Sequence, residues 1–332
     1  MSENTLNKVV TVNNYTGTDN EYGGLLNVEQ ADRFLDYIWD QTVIGKQVRK
    51  VRLNATEAEI TKINIGERIV RGANEAVDTG ENAGAQFQKI TVRTHKFRLD
   101  WEISTEAKED GIEGADLEDH LARLFATQFA NDLEDVAING DTSSSDKALK
   151  IHDGWQKLLR AGANVVDAGG SNLDRTVFNK ALKKMPRKYM QQRNRLKFFV
   201  GSNPIQDYLY SLSNIQNTPE QIAQRMIESG PVRTEGGAGF TTAFAFGLPV
   251  QEVPLMDTLQ TGSYSGSTGN VHGDAWLLDP QNLIWAIKRE VEVFREFKPK
   301  KDSTEYTVYC RSGVQVEHGE AAVVVRNIKT AA

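Results

Sequence analysis

The side chains best suited to acid–base or metal chemistry near neutral pH are five histidines, His95, His120, His152, His272 and His318. None forms a His-Glu-x-x-His pair or another metal-ligating spacing. His120 falls on the polar side of a helical pattern, where a solvated side chain is the ordinary reading. The single cysteine, Cys310, excludes an intrachain disulfide framework and any multi-cysteine metal site. Its setting, Tyr306-Thr-Val-Tyr-Cys-Arg311, looks like a strand, so Cys310 reads as a small buried filler rather than an activated thiolate. Glu102, Glu106, Glu109, Asp110 and Glu113 could include an acid/base pair, but a charge run entering a helix is usually a solvated face. Gly236-Gly-Ala-Gly239 opens no helix in the context a phosphate cradle needs and reads as a flexible loop. There is no nucleophile elbow, no Walker loop and no dinucleotide fingerprint. The expectation is a chain with no catalytic, cofactor-binding or metal-binding residue: not an enzyme.

One local charge anomaly stands out. From Arg175 to Gln206 no residue is acidic, yet Arg175, Lys180, Lys183, Lys184, Arg187, Lys188, Arg193, Arg195 and Lys197 all occur, with Tyr189, Phe198 and Phe199 between them. A nucleic-acid patch is one reading. Pairing with acidic surface on a neighbouring copy is the stronger one, because the chain as a whole carries a net charge of −6. Lys183, Lys184, Arg187, Lys188 and Arg193 are therefore candidate interface residues, with the acidic Glu75, Asp78 and Glu81 as candidate counterparts. The 332 residues allow one large or two modest domains. The N-terminus lacks a signal-peptide core and no window approaches ~18 apolar residues, which argues for folding in a reducing cytoplasm and against a membrane span.

The elements that would position these residues begin with Arg49–Ile103, which reads as one very long β-hairpin. Val51, Leu53, Ile60, Ile63, Ile65 and Ile69 mark its outgoing arm. Gly72–Gly84 forms a loose acidic tip. On the return arm Phe97, Leu99, Trp101 and Ile103 alternate with Arg98, Asp100 and Glu102, the period-2 signature of a half-buried strand. Each arm could run roughly 17 residues, against a usual strand of ~5–6. A two-stranded ribbon of that length is marginal in water, so it needs another surface to lie on. A neighbouring subunit is the simplest source.

Ahead of the hairpin, residues 1 to about 27 form a polar arm, followed by a short helix from Asn27 with Phe34, Leu35, Ile38 and Trp39 on one face. Behind it, Asp116 caps the clearest helix, with Leu117, Leu121, Leu124, Phe125, Phe129, Leu133 and Val136 at spacings of three and four, stopped by Asn139-Gly140. Residues 150–290 alternate helices and short strands. Asp174 caps one helix that Pro186 ends, and Asn203 with Pro204 opens another. Thr218-Pro-Glu-Gln221 repeats the cap signal. From Ile284 to Ile328 the chain is β again, with three or four strands. The economical arrangement pairs the two flanks into one domain and inserts the middle as a second.

This order of parts resembles the HK97-fold major capsid proteins of tailed bacteriophages. The residues that carry the resemblance are Arg98–Ser104 leading into 116–140, Asp135–Asp141 at the helix exit, Asp153-Gly-Trp155, Phe199–Pro204, Phe246–Val250 and Val291–Phe297. It implies an α+β, HK97-like capsid fold: an N-terminal arm (1–45), an extended E-loop hairpin and its base (46–103), a peripheral domain (104–149 and 290–332, spine helix 116–139), and an inserted axial domain (150–289). The implied function is a self-assembling shell of pentamers and hexamers enclosing double-stranded phage DNA. The implied partners are further copies of the chain, a portal protein, a separate scaffolding protein, a decoration protein, and packaged DNA through non-specific contact. The implied location is the virion, assembled in the host cytoplasm. Two departures refine the expectation. The tip from Gly72 to Gln86 has no lysine, which argues against covalent cross-linking there. Only a short polar arm follows Met1, which favours scaffolding by another protein. An encapsulin-type compartment on the same fold is the alternative, although those proteins tend to be shorter. An enzyme with an unrecognised site in 150–290 is the third reading.

Overall fold

The structure, a computed structural model, describes residues 24–25, 42–64, 86–106, 117–213, 243–257 and 272–329. Its strands in chain order are β1 (Gly24–Leu25), β2 (Arg49–Arg52), β3 (Glu57–Asn64), β4 (Gln86–Arg93), β5 (His95–Ser104), β6 (Asn164–Asp167), β7 (Lys197–Val200), β8 (Ala243–Ala245), β9 (Leu248–Glu252), β10 (His272–Leu278), β11 (Leu283–Lys298), β12 (Ser303–Val316) and β13 (Ala322–Lys329). The α-helices are α1 (Leu117–Asn139), α2 (Trp155–Gly162), α3 (Arg175–Lys184), α4 (Arg187–Met190) and α5 (Ser202–Ser213).

The first sheet runs β1-β11-β12-β5, with β2 added parallel to the start of β11. Alternation along β5 is matched across the ladder: Phe97 faces Cys310, Trp101 faces Tyr306 and Ile103 faces Thr304. That places the apolar row on one face of the sheet, and α1 lies on it. Trp101 stacks between Phe125 of α1, at 4.9 Å, and Tyr306, at 5.1 Å. Ala126, Phe129, Ala130, Leu133, Val136 and Ala137 continue the buried stripe of α1 at spacings of three and four. Truncating a buried aromatic of this kind typically costs about 3–5 kcal/mol.

The second sheet runs β6-β13-β10-β7-β9-β8, parallel at β6/β13 and β7/β9 and antiparallel elsewhere. Its central strands are apolar runs because both faces are covered. Phe198, Val200, Leu277, Val323 and Val325 face a core with Phe178 of α3 and Tyr208 of α5. Phe199, Trp276, Leu278, Ala322 and Val324 face the core shared with α1 and the first sheet.

Three expectations are corrected. The single long hairpin is divided: β2 pairs with β11, β5 pairs with β12, and only β3 and β4 pair with each other. Period-2 patterning shows that a strand has a buried face but not which strand lies beside it. The tail is also divided. β11 starts at Leu283 and stays with β12, while β13 joins β10 and β6 in the second sheet, so the segment 290–332 does not pair as one flank. Ala322–Val325 are buried on both sides, which suits a central strand. Finally, Gly201 rather than Asn203 precedes α5, and the carboxylate of Asp257 caps the helix by accepting from Ser202 N–H at 2.6 Å and Asn203 N–H at 3.1 Å. Other readings hold: Asp174 caps α3 by accepting from Arg175 N–H, and α1 ends at Asn139. The helix from Asn27, the hairpin tip, Asp116 and the Thr218 cap lie outside the described residues.

Candidate assembly surface

The ribbon of β3 and β4 pairs Glu57 with Arg93 through to Asn64 with Gln86. At ~3.4 Å per residue it extends about 27 Å. Along its length the described side chains are exposed or half-exposed on both faces, and Phe87 is 67% exposed. Only its root is covered, where Val92, Leu53 and Ala286 form a small buried cluster. The Lys89–Glu59 and Arg93–Glu57 pairs bridge the two strands at 2.6 and 3.2 Å, but exposed pairs contribute little. A ribbon with two wet faces and an apolar side chain near its far end is incomplete as a monomer feature.

The root, by contrast, is fixed in several directions. Gln315 donates from Nε2 to the Thr91 carbonyl at 2.9 Å, and Thr94 N–H donates to the Thr56 carbonyl at 2.9 Å. Gly313 permits the closest approach, since a Cβ there would sit 2.0 Å from the Arg93 carbonyl oxygen. The turn leading into β2 is held by Glu134 of α1. This buried carboxylate accepts from the N–H groups of Val43, Ile44 and Gly45 at 2.9, 2.6 and 3.1 Å. Burial pushes the Glu134 carboxyl above its usual range, and the three N–H donors oppose that rise.

Two segments distant in pattern meet at the exit of α1. Gly154 N–H donates to the Gly140 carbonyl at 2.8 Å, and neither glycine has room for a Cβ. Lys157 reaches Asp141 at 2.8 Å and Asp153 at 2.5 Å. Both carboxyls lie below the usual range, their burial outweighed by the Lys157 hydrogen bond and local N–H donors. Deeper in, Arg160 pairs with the buried Asp274 at 2.6 Å. These contacts tie α2 to α1 and the second sheet.

Among the candidate interface residues, Lys183 and Lys184 are exposed in the last turn of α3, where cations suit a helix C-terminus. Arg187 and Lys188 are exposed on α4, and Arg193 donates to the Phe246 carbonyl. All five are exposed, with the buried Met185 between them. Their proposed counterparts Glu75, Asp78 and Glu81 lie outside the described residues. Cys310 is buried, with its thiol pushed up to about 12 by desolvation. His95 and His152, far apart in sequence, have ring centroids 5.7 Å apart beside the ribbon root. No group of three His, Cys, Asp or Glu side chains among the described residues could hold a metal ion. Sequence reading missed Glu134, because a carboxylate on an amphipathic helix looks solvated until its partners are known. It also missed a cationic row on the first sheet, contributed by three strands.

Comparison with known proteins agrees with this architecture. No protein-family model matches the chain. It is 26% identical over 275 residues, 82% of its own length and 83% of the relative's, to YqbE of Bacillus subtilis (strain 168), provisionally named a prophage capsid protein. Its fold matches a chain of the satellite phage P4 procapsid that includes the size-determination protein, with a TM-score of 0.61 at 16% identity and 92% of each chain covered. A capsid chain of the empty GTA particle matches with a TM-score of 0.57 at 16% identity over 94% of each chain. The SrpI encapsulin of Synechococcus elongatus PCC 7942 matches at 0.55, with 11% identity over 86% of this chain and 87% of that one. The chain has the HK97-like capsid fold.

Proposed function

We propose that this chain is a major capsid protein of a tailed phage or prophage-derived particle, a structural subunit that assembles with copies of itself into the pentamers and hexamers of a closed shell. The observation that carries the reading is the β3–β4 ribbon, paired only with itself and exposed or half-exposed beyond its root, attached to a two-sheet body of capsid fold. Burial of such a ribbon on a neighbour spreads many weak contacts around a ring, which multivalency turns into a stable shell. In this reading residues 1–45 are the arm and the ribbon is the E-loop. Helix α1 with β5, β11 and β12 makes the peripheral domain, and 150–282 with β13 makes the axial domain. A portal, a scaffolding protein, a decoration protein and packaged double-stranded DNA are the expected partners, and the virion the expected location. The exposed Lys183, Lys184, Arg187, Lys188 and Arg193 serve as contacts to acidic surface of a neighbour, Glu75, Asp78 and Glu81 included.

A second reading, an encapsulin-type compartment, is favoured by the SrpI match alone. Negative-stain electron microscopy of the purified chain, alone and with a co-encoded scaffold, tests both. Shells, or free pentameric and hexameric rings, are expected. Deleting Arg71–Gln86 should leave a soluble folded subunit without shells, and normal particles from that deletion would remove the ribbon from the assembly mechanism. Cargo enzyme in place of DNA inside native particles would select the second reading.

A further inference from the structure

We infer that the solvent face of the first sheet carries an oxyanion site at the ribbon root that takes phosphate groups. Lys96 of β5, Arg311 of β12 and Arg289 of β11 are direct cross-strand partners, so three cations form one row across three strands. Like charges placed opposite one another destabilise a sheet. Lys288 adds a fourth. Together with Glu292 they line a cleft of about 380 Å³.

The inventory of partners in the cleft is short. Lys288 Nζ donates to Thr56 Oγ1 at 2.8 Å, and Arg311 Nη1 to the same oxygen at 3.3 Å. Lys96 Nζ sits 4.0 Å over the Tyr309 ring. Arg289 pairs with Glu292, the one carboxylate among the described side chains of the lining. Among the described side chains of the lining, four cations face one carboxylate, a net of three positive charges. Arg311 Nε is buried with no acceptor among the described residues, so not all the donors of this guanidinium are met there. An orphaned buried donor is costly, more so when it is charged.

The charge count selects the ligand. A single carboxylate brings one charge and two coplanar oxygens, and cannot answer donors arriving from three strands. Free phosphate brings up to two charges, a phosphodiester stretch one per phosphate over several groups, each with oxygens in several directions, and guanidinium groups match them bidentately. The cleft is larger than one phosphate, which leaves room for a phosphodiester stretch. The source is therefore either free phosphate or a nucleic-acid backbone, and the two are separable. The site stands whether or not the chain forms shells.

The experiment uses the full chain and the variant Lys96→Gln/Lys288→Gln/Arg289→Gln. Thermal unfolding is followed in sodium phosphate and in sodium chloride of equal ionic strength. A labelled 20-base-pair duplex is titrated by anisotropy across a salt series. The site predicts that phosphate raises the melting temperature of the wild type and that the triple variant loses that response. Duplex binding should weaken, with the salt slope falling by about 2–3 for three lost cations. Lys147→Gln/Lys150→Gln, exposed lysines outside the cleft, should leave both responses as in the wild type. Loss of the phosphate response with unchanged duplex binding assigns the site to free phosphate. An equal phosphate response in wild type and variant, with equal duplex binding, overturns the proposal. Should the triple variant fail to fold, Arg289→Gln alone must reduce the phosphate response, and an unchanged phosphate response with unchanged duplex binding overturns the proposal equally. Electron microscopy of the same variant reads shell formation separately.

Discussion

Replacing Glu134 tests the claim that one buried carboxylate holds the entry to the ribbon. Its Oε1 accepts from Ile44 and Gly45, and its Oε2 from Val43. Glu134→Ala leaves three N–H groups without that acceptor, each worth about 1–3 kcal/mol when buried and unsatisfied. Relief of the carboxylate's own desolvation, which is what pushes its pKa up, offsets part of the sum. The expected net loss is about 3–5 kcal/mol, the sum for three orphaned N–H groups less the carboxylate's relieved desolvation. Glu134→Gln can keep its oxygen toward Ile44 and Gly45 while its amide faces Val43. One bond of three is lost and no charge is buried, so the cost should be about 1–2 kcal/mol. Urea unfolding of the purified chain gives the totals. Hydrogen exchange at Val43, Ile44 and Gly45 gives the location, with protection collapsing in the alanine variant and falling mainly at Val43 in the glutamine variant. An alanine variant within about 1 kcal/mol of wild type, or a glutamine variant as costly as alanine, would refute the reasoning.

Other outcomes follow from the same geometry. Gly313→Ala drives a methyl into the Arg93 carbonyl and should cost more than about 2 kcal/mol in a chemical melt, because backbone must shift; an unchanged midpoint contradicts the close approach. Cys310, with its thiol pushed up to about 12, should resist an aromatic disulfide reagent at pH 8 in the native chain and react fully once unfolded. His95 and His152 have pKa values lowered mainly by burial, so the unfolded chain binds protons that the folded chain does not. Their contribution is complete above the ordinary value near 6.5 and is lost as pH falls below it. Melting temperature should therefore decline on acidification through that window, less so in His152→Gln, and identical pH profiles would count against the pair.

The sequence by itself determined that the chain is α+β, that a long amphipathic helix runs to Asn139, that Cys310 sits in a strand, and that the chain's parts follow the capsid order. Those properties are local: periodicity, caps and stop signals act within a few residues, and the order of parts is one-dimensional. Tertiary structure decided who pairs with whom. The alternation of Phe97 to Ile103 is the same whether β5 lies beside β4 or β12, and the choice fell to β12 because its row of Tyr306, Val308 and Cys310 completes the core under α1. The run Ala322–Val325 went to the second sheet because only a central position covers both of its faces. Glu134, the Asp257 cap and the row of Lys96, Arg311 and Arg289 were invisible for the same reason. Each joins residues on separate strands, helices or turns, and a charge in a sequence carries no mark of the partner that the fold will bring to it.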